Sequence, residues 1–322
     1  MTAVDVLVLG AGVIGLTTAV HLAEAGLRVD VRTAAPPEST TSAAAGAMWG
    51  PYLVEPRDRV QQWAEQTLDD LTRIAHDEPA SGVHLASGIE ASRRETTLPE
   101  WARLLPAVTP CWRDELPPGF ASGYRYTAPL VDMPVYLTYL HKRLRTAGGT
   151  LLVQPVSSLD EAAAQAPAVV NCTGIAARGL AADPDLYPIR GQLVVLANPG
   201  ITDFFTEDTG DSPDLLCIYP HGDTVVLGGT AEPHRRQLEP DSETAAAIVA
   251  RCAAIVPSLA NARVLAHRVG LRPTRPTIRL DEQPHRSGTR IIHNYGHGGA
   301  GVSLSWGCAR EVADRVRAPT NI

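Results

Sequence analysis

Val4-Asp5-Val6-Leu7-Val8-Leu9-Gly10-Ala11-Gly12-Val13-Ile14-Gly15 stands almost at the start of the sequence, and its reading decides the fold. Val4 to Leu9 is apolar except for Asp5, the pattern of a parallel strand buried on both faces. Gly10, Gly12 and Gly15 follow at the spacing that lets the chain turn tightly, lets backbone approach a pyrophosphate and lets a helix pack on the strand. Leu16 to Ala25 has helical spacing and stops at Gly26, a good C-cap, and Leu27 to Arg32 reads as the next strand. Strand, glycine turn, helix and strand within about thirty residues make a dinucleotide-binding unit. Phosphates belong at the start of that helix, where unpaired N–H groups and the helix dipole favour negative charge.

Which nucleotide is bound stays open at this point. Thr33 falls where the ribose-binding acid usually stands, Asp30 is mid-strand, and Arg32 would suit the 2′-phosphate of NADP. Thr40-Thr41-Ser42 followed by Ala43-Ala44-Ala45-Gly46 has two readings. One is a hydroxyl-bearing phosphate loop leading into small residues that lie flat against an isoalloxazine ring; the other is a plain flexible loop.

The far end of the chain carries the more specific signal. Ile291-Ile292-His293-Asn294-Tyr295-Gly296-His297-Gly298-Gly299-Ala300-Gly301 enters a helix spanning Ser303 to Val316, which contains Gly307-Cys308-Ala309. Four glycines beside a helix start predict a second nest of backbone N–H groups, fit to stabilise charge on the N1–O2 edge of a reduced flavin. His293 and His297 invite a metal reading, but no carboxylate or third histidine is spaced to join them, so no metal is expected. Ala168 to Asn171 is a further buried strand, ending in Cys172-Thr173-Gly174. Val60 to Ala75 and Val135 to Ala147 read as amphipathic helices, with a Pro-, Gly- and Trp-rich stretch between them that predicts short strands and loops. Gln192 to Leu196 and Thr224 to Leu227 read as antiparallel strands. Nucleotide-binding material at both ends, with sheet-like material between, predicts an α/β protein whose Rossmann-type domain is discontinuous.

Composition bounds the partners. A chain of 322 residues with 44% hydrophobic and 20% charged residues is a globular protein large enough for two domains. A net charge of -7 argues against a nucleic-acid partner. The five cysteines are widely spaced without a C-x-x-C pair, which points to neither zinc nor a disulfide framework and fits a reducing, cytoplasmic setting. No apolar run reaches the roughly 18 residues of a membrane span, and Met1 runs into a strand without a basic leader region.

Together these motifs resemble the D-amino-acid oxidase family along nearly the whole chain. His293 to Gly301 with Gly307-Cys308-Ala309 is the specific match. In family order stand also the N-terminal glycines, Thr40-Thr41 with Ala45-Gly46 and Pro51-Tyr52, Asn171 to Gly174, Arg190-Gly191-Gln192, Gly228-Gly229-Thr230 and Leu271 to Pro276.

The resemblance implies FAD rather than NADP. It also implies an FAD-binding domain of 1–53, 132–186 and 273–322, and a substrate domain of 54–131 and 187–272 built on a mixed antiparallel sheet. Cofactor contacts would come from Gly10, Gly12, Val13, Ile14, Gly15, Thr33, Thr40, Thr41, Ser42, Gly46, Ala47 and Met48. Further contacts would come from Val156, Cys172, Thr173, Gly174, Arg272, Gly298, Gly299, Gly301, Val302 and Ser303.

The implied activity is oxidation of neutral or basic D-amino acids by hydride transfer from Cα to flavin N5, with O2 as acceptor; peroxide, ammonia and a 2-oxo acid are the products. Arg272 would grip the substrate carboxylate, Gly299 would accept from the amine, and Tyr52 would stand beside the flavin. The family's usual tyrosine three residues before the strand proline is replaced by Cys217, with Tyr219 two residues on and on the same strand face. Thr206 to Leu216 would form an acidic lid, and Ala231 stands where a D-aspartate oxidase carries a cation. A glycine-type or biosynthetic amine oxidase, an NADP-dependent dehydrogenase and a catalytically inert flavin binder are the alternatives, and a homodimer is left open.

Overall fold

Four buried apolar residues form β1 (Val6–Leu9) at the heart of the computed structural model, which describes residues 4–51, 54–208 and 214–318. Next come α1 (Val13–Glu24), β2 (Val29–Thr33), β3 (Ala47–Met48), α2 (Arg57–Asp77), β4 (Val83–Ser92), β5 (Val108–Pro110) and β6 (Ser122–Val131). These are followed by α3 (Met133–Thr146), β7 (Thr150–Val153), α4 (Leu159–Ala163), β8 (Ala168–Asn171), α5 (Ala177–Leu180) and β9 (Tyr187–Ala197). The remainder are β10 (Phe204–Glu207), β11 (Asp214–His221), β12 (Thr224–Thr230), β13 (Glu232–Pro233), α6 (Ser242–Ile255), β14 (Val264–Pro284), β15 (Arg290–His297) and α7 (Gly301–Arg317).

One sheet path runs β3-β6-β4-β10-β11-β12-β9-β14-β15-β8-β1-β2-β7. Its β15-β8-β1-β2-β7 end is parallel throughout, with helices over it, as buried apolar strands joined by crossovers require. The other end is antiparallel except where β10 runs parallel to β4. β14 joins the two ends: Val264 to Thr274 pairs with β9, and Thr274 to Pro284 pairs with β15. The parallel side shares its core with α1, α2, α3 and α7, whereas Val194, Leu196, Ile218, Val225 and Leu227 form a separate core with Ile248 and Cys252 of α6.

The terminal elements lie as expected, with α7 packed beside α1. Two features differ from the sequence reading. The Pro- and Gly-rich stretch builds β4 and β6, an antiparallel pair of ten residues each, instead of short strands alone. Gly88 sits inside β4 because Phe204 of β10 lies against it; a Cβ there would stand 2.1 Å from the Phe204 carbonyl oxygen. Arg290 to His293, a short strand by its sequence pattern, continues to His297 as β15, since Asn294, Tyr295 and His297 pair with β14 beyond the end of β8. α2 also packs on α7: Thr67 Oγ accepts from the Gly307 N–H at 3.0 Å, and a Cβ on Gly307 would come 2.4 Å from the Trp63 carbonyl oxygen.

Candidate active site

The two ends of the sheet enclose one cavity of about 1270 Å³, larger than a pocket for a small molecule alone. It begins at the C-terminal edge of the parallel strands. Gly10 has φ +103°, and a Cβ on it would lie 2.5 Å from the Cys172 carbonyl oxygen, so only glycine lets β1 turn beside β8. A Cβ on Gly15 would overlap the Gly10 carbonyl; this residue packs helix on turn and stands off the cavity wall. Gly12, Val13 and Ile14 line the cavity, and Ser42 Oγ accepts from the Val13 N–H at 3.0 Å. Thr33, Thr40, Thr41, Gly46, Ala47, Met48, Val156, Cys172, Thr173 and Gly174 also line it. Thr41 Oγ donates to the Leu271 carbonyl at 3.2 Å and thereby ties this loop to β14.

The C-terminal turn is narrower than the four glycines imply. The Gly298 N–H is used by the Pro273 carbonyl at 2.8 Å, and Gly296 lies within β15. What remains is the first turn of α7, where Gly301 and Val302 line the cavity with N–H groups that no preceding helical turn can accept. Ser303 does not reach the cavity: its hydroxyl donates to the Gly50 carbonyl at 3.1 Å and accepts from the Gly50 N–H at 2.9 Å. His293 is buried between Asn171 and Gln283, and His297 lies 3.5 Å from Cys308 Sγ. Burial pushes these imidazoles down to about 4 and about 3, so both are neutral, His293 within the core and His297 at the cavity wall.

At the other end of the cavity four neighbouring arginines separate cleanly. Arg275 pairs with Asp183 at 3.0 Å, Arg279 with Asp281 at 3.2 Å, and Arg268 lies off the cavity wall near Asp132. Arg272 lines the cavity; its Nη1 donates to the Thr230 carbonyl at 2.9 Å, and among the described residues it has no carboxylate partner. It lies over Gly191, where a Cβ would come 2.4 Å from Nη1. A Cβ on Gly299 would stand 3.8 Å from Arg272 Cδ, which puts the expected carboxylate and amine sites side by side. Burial lowers the Arg272 pKa, but a guanidinium remains charged. Such a fork suits bidentate binding of a carboxylate.

Cys217 and Tyr219 both line the cavity from β11, two residues apart on one face. A Cβ on Gly228 would strike Cys217 Sγ, so the β12 glycine makes the room this thiol occupies. Burial pushes the Cys217 thiol up to about 12 and the Tyr219 phenol well above its ordinary range. Neither provides an anion near neutral pH. Thr206, the first residue of the expected lid, faces this end from β10, as do Glu90 and Trp101; the sequence reading missed the latter two because it took the stretch before β6 for short strands and loops.

Of the expected lid, Glu207 and Asp208 line the cavity, while Asp214 pairs with Arg251 at 3.1 Å; residues 209–213 lie outside the described residues. Tyr52, expected beside the flavin, also lies outside them. His234, Arg235 and Arg236 are exposed and stand off the cavity wall.

A glycine-turned helix start, a second uncapped helix start and an unpaired guanidinium around one long cavity define an enzyme that holds a dinucleotide against a small anionic substrate. The FAD dependent oxidoreductase family model matches residues 5–315, and the chain belongs to that family. It is 49% identical over 307 residues to a D-amino-acid oxidase of Rubrobacter xylanophilus, covering 95% of this chain and 94% of the relative. It is 47% identical to a D-amino-acid oxidase of Streptomyces coelicolor, covering 96% and 95%, and 35% identical to the human D-aspartate oxidase, covering 98% and 95%. Glycine oxidase from Geobacillus kaustophilus shares the fold with a TM-score of 0.81 at 22% identity, over 100% of this chain and 97% of that one. The cofactor is therefore FAD, and Arg32 has another role: its guanidinium is held by Gln165 Oε1 at 2.7 Å and the Gln154 carbonyl at 3.2 Å. The residues fit FAD, since the α1 start, the Ser42 loop and the α7 start all line a single cavity. Among the described residues no helix is long and apolar enough to cross a membrane.

Proposed function

We propose that this chain is a D-amino-acid oxidase, acting on neutral and basic D-amino acids with O2 as acceptor. The observation that carries this reading is Arg272, the one of four neighbouring arginines that faces the cavity and lacks a carboxylate partner among the described residues. The FAD-binding division would comprise 1–53, 132–186 and 273–322, and the substrate division 54–131 and 187–272. In support, the 272/273 boundary lies close to Thr274, where β14 passes from β9 to β15. All five cysteines are free, which favours a reducing, cytoplasmic setting.

Bound FAD supplies the two-electron acceptor for the Cα–H bond. The chain's own part is binding, orientation and exclusion of water. Arg272 would hold the carboxylate through two parallel N–H bonds, and the Gly299 carbonyl would accept from the amine beside it. Together they fix two of the substituents on Cα, so that only one enantiomer presents its hydrogen to the cofactor. Because Cys217 and Tyr219 are held neutral, neither serves as a base at Cα, and hydride transfer makes a side-chain base unnecessary. Cys217, smaller than tyrosine, leaves space for the substrate side chain. Glu207 and Asp208 at the cavity wall disfavour a substrate with a second carboxylate.

The test is a visible spectrum of the purified protein followed by air-saturated turnover with D-alanine, D-valine, D-methionine, D-arginine, D-aspartate and the L-enantiomers. A flavin spectrum and turnover of neutral and basic D-forms are expected, with D-aspartate poor. Highest kcat/KM on D-aspartate would show that the acidic wall does not select against a second carboxylate. Turnover of glycine alone would favour a glycine-type oxidase, and a flavin spectrum without turnover an inert binder.

A further inference from the structure

We infer that Glu90 is a specificity-determining residue, a carboxylate placed at the far wall of the substrate end to receive the cationic side chain of D-lysine or D-arginine. The inference rests on the oxidase reading above and deepens it from neutral and basic substrates to a preference for cationic ones.

Register places Glu90. On β4 it pairs with Thr206 of β10, Thr206 pairs with Cys217 of β11, and Cys217 pairs with Gly228 of β12. Residues in register across a sheet point to one face, so Glu90, Thr206 and Cys217 all look into the cavity, and all three line it. Two strand spacings separate Glu90 from Cys217, about 10 Å of sheet. Cys217 in turn lies within electrostatic reach of the Arg272 guanidinium. A carboxylate gripped at Arg272 would therefore send its side chain across Cys217 toward Glu90, a distance suited to a long flexible stem ending in a cation.

The chemistry of the wall supports the same occupant. Tyr126 donates to Glu90 Oε2 at 2.6 Å and is the only hydrogen-bond partner of that carboxyl among the described residues, which leaves Oε1 for a ligand. Glu207, the neighbouring acid, is taken by Arg93 at 2.7 Å. Trp101 stands edge-on to Tyr126 at 5.9 Å and gives the same wall an apolar face for the methylenes of a long side chain. Burial and the nearby Asp208 charge raise the Glu90 pKa. An isolated carboxylate here is thus costly, and an ammonium or guanidinium would relieve that cost by a charge-assisted hydrogen bond. A neutral side chain of the same length gives no such relief.

D-Lysine and D-norleucine differ by one terminal ammonium, so the ratio of their kcat/KM values isolates the cation. Holoenzyme and its Glu90→Gln variant, which keeps an acceptor for Tyr126, are assayed with both substrates. The wild type is expected to favour D-lysine at least tenfold. Glu90→Gln is expected to lower the ratio at least tenfold, through KM for D-lysine rather than through kcat. A ratio unchanged in Glu90→Gln would overturn the role of Glu90 while leaving the oxidase reading intact. If Glu90→Gln does not fold, the wild-type ratio decides: parity or a preference for D-norleucine overturns the inference. No turnover of any D-amino acid, neutral or basic, by the flavin-loaded wild type would overturn the oxidase reading itself, and this inference with it.

Discussion

Arg272 shows how a single side chain takes its function from what its neighbours do. Arg275 and Arg279 are consumed by Asp183 and Asp281, while Arg272 is anchored through one nitrogen to the Thr230 carbonyl. That anchor orients the fork without neutralising it. Removing a charged partner from a buried carboxylate costs roughly 3–5 kcal/mol. Arg272→Ala is therefore expected to lower kcat/KM for D-methionine by at least two orders of magnitude, and Arg272→Lys to restore only part, because the planar fork is lost. Arg275→Ala, off the cavity wall, serves as the control. Near-normal kcat/KM in Arg272→Ala, with loss in Arg275→Ala or Arg268→Ala, would place the anchor on another arginine.

At the scale of elements, the site is built from helix starts. α1 begins at Gly12 with its Val13 N–H already bonded to Ser42 Oγ, and α7 begins at Gly301 without a side-chain cap. Both starts face the same cavity, so their dipoles add where phosphate and flavin charge would fall. A Cβ on Gly12 would stand 3.0 Å from Ser42 Oγ, and the methyls of a valine would reach further into the same gap. Gly12→Val is expected to purify with little FAD, read as the ratio of flavin to protein absorbance and as loss of rebinding when FAD is added. Full flavin occupancy in that variant would show that the pyrophosphate lies elsewhere.

At the scale of the molecule, β14 and β15 hold the two ends of the sheet together, and β15 carries two buried histidines. Burial depresses His293 to about 4 and His297 to about 3, against an ordinary value near 6.5. Between those values the unfolded chain binds protons that the folded chain refuses, so stability rises with pH through this window and levels off above it. Each histidine contributes a slope of up to about 1.4 kcal/mol per pH unit. The holoprotein is expected to lose Tm steadily as pH falls from 6.5 to 4, and His297→Gln to flatten part of that slope. A Tm that stays level over this range would show that these imidazoles are protonated in the folded protein.

The sequence by itself determined the elements whose signals are local. β1, its glycine turn and α1 could be read because a buried strand, a tight turn and a helical period each leave a pattern within a few residues. The Ala168–Asn171 strand and the C-terminal helix could be read for the same reason, and the order of the motifs carried the family. The long pair β4 and β6 escaped, since Gly88 within the strand answers to Phe204 of a distant strand rather than to its own neighbours. Ser303 went to Gly50 instead of the cavity, and α2 joined α7, through contacts between residues far apart in the chain. Which arginine is left unpaired, and that Glu90 faces the substrate end, follow only from sheet register and ion pairing. Local pattern decides what a segment becomes; the packing of remote segments decides which of its charges remains for a ligand.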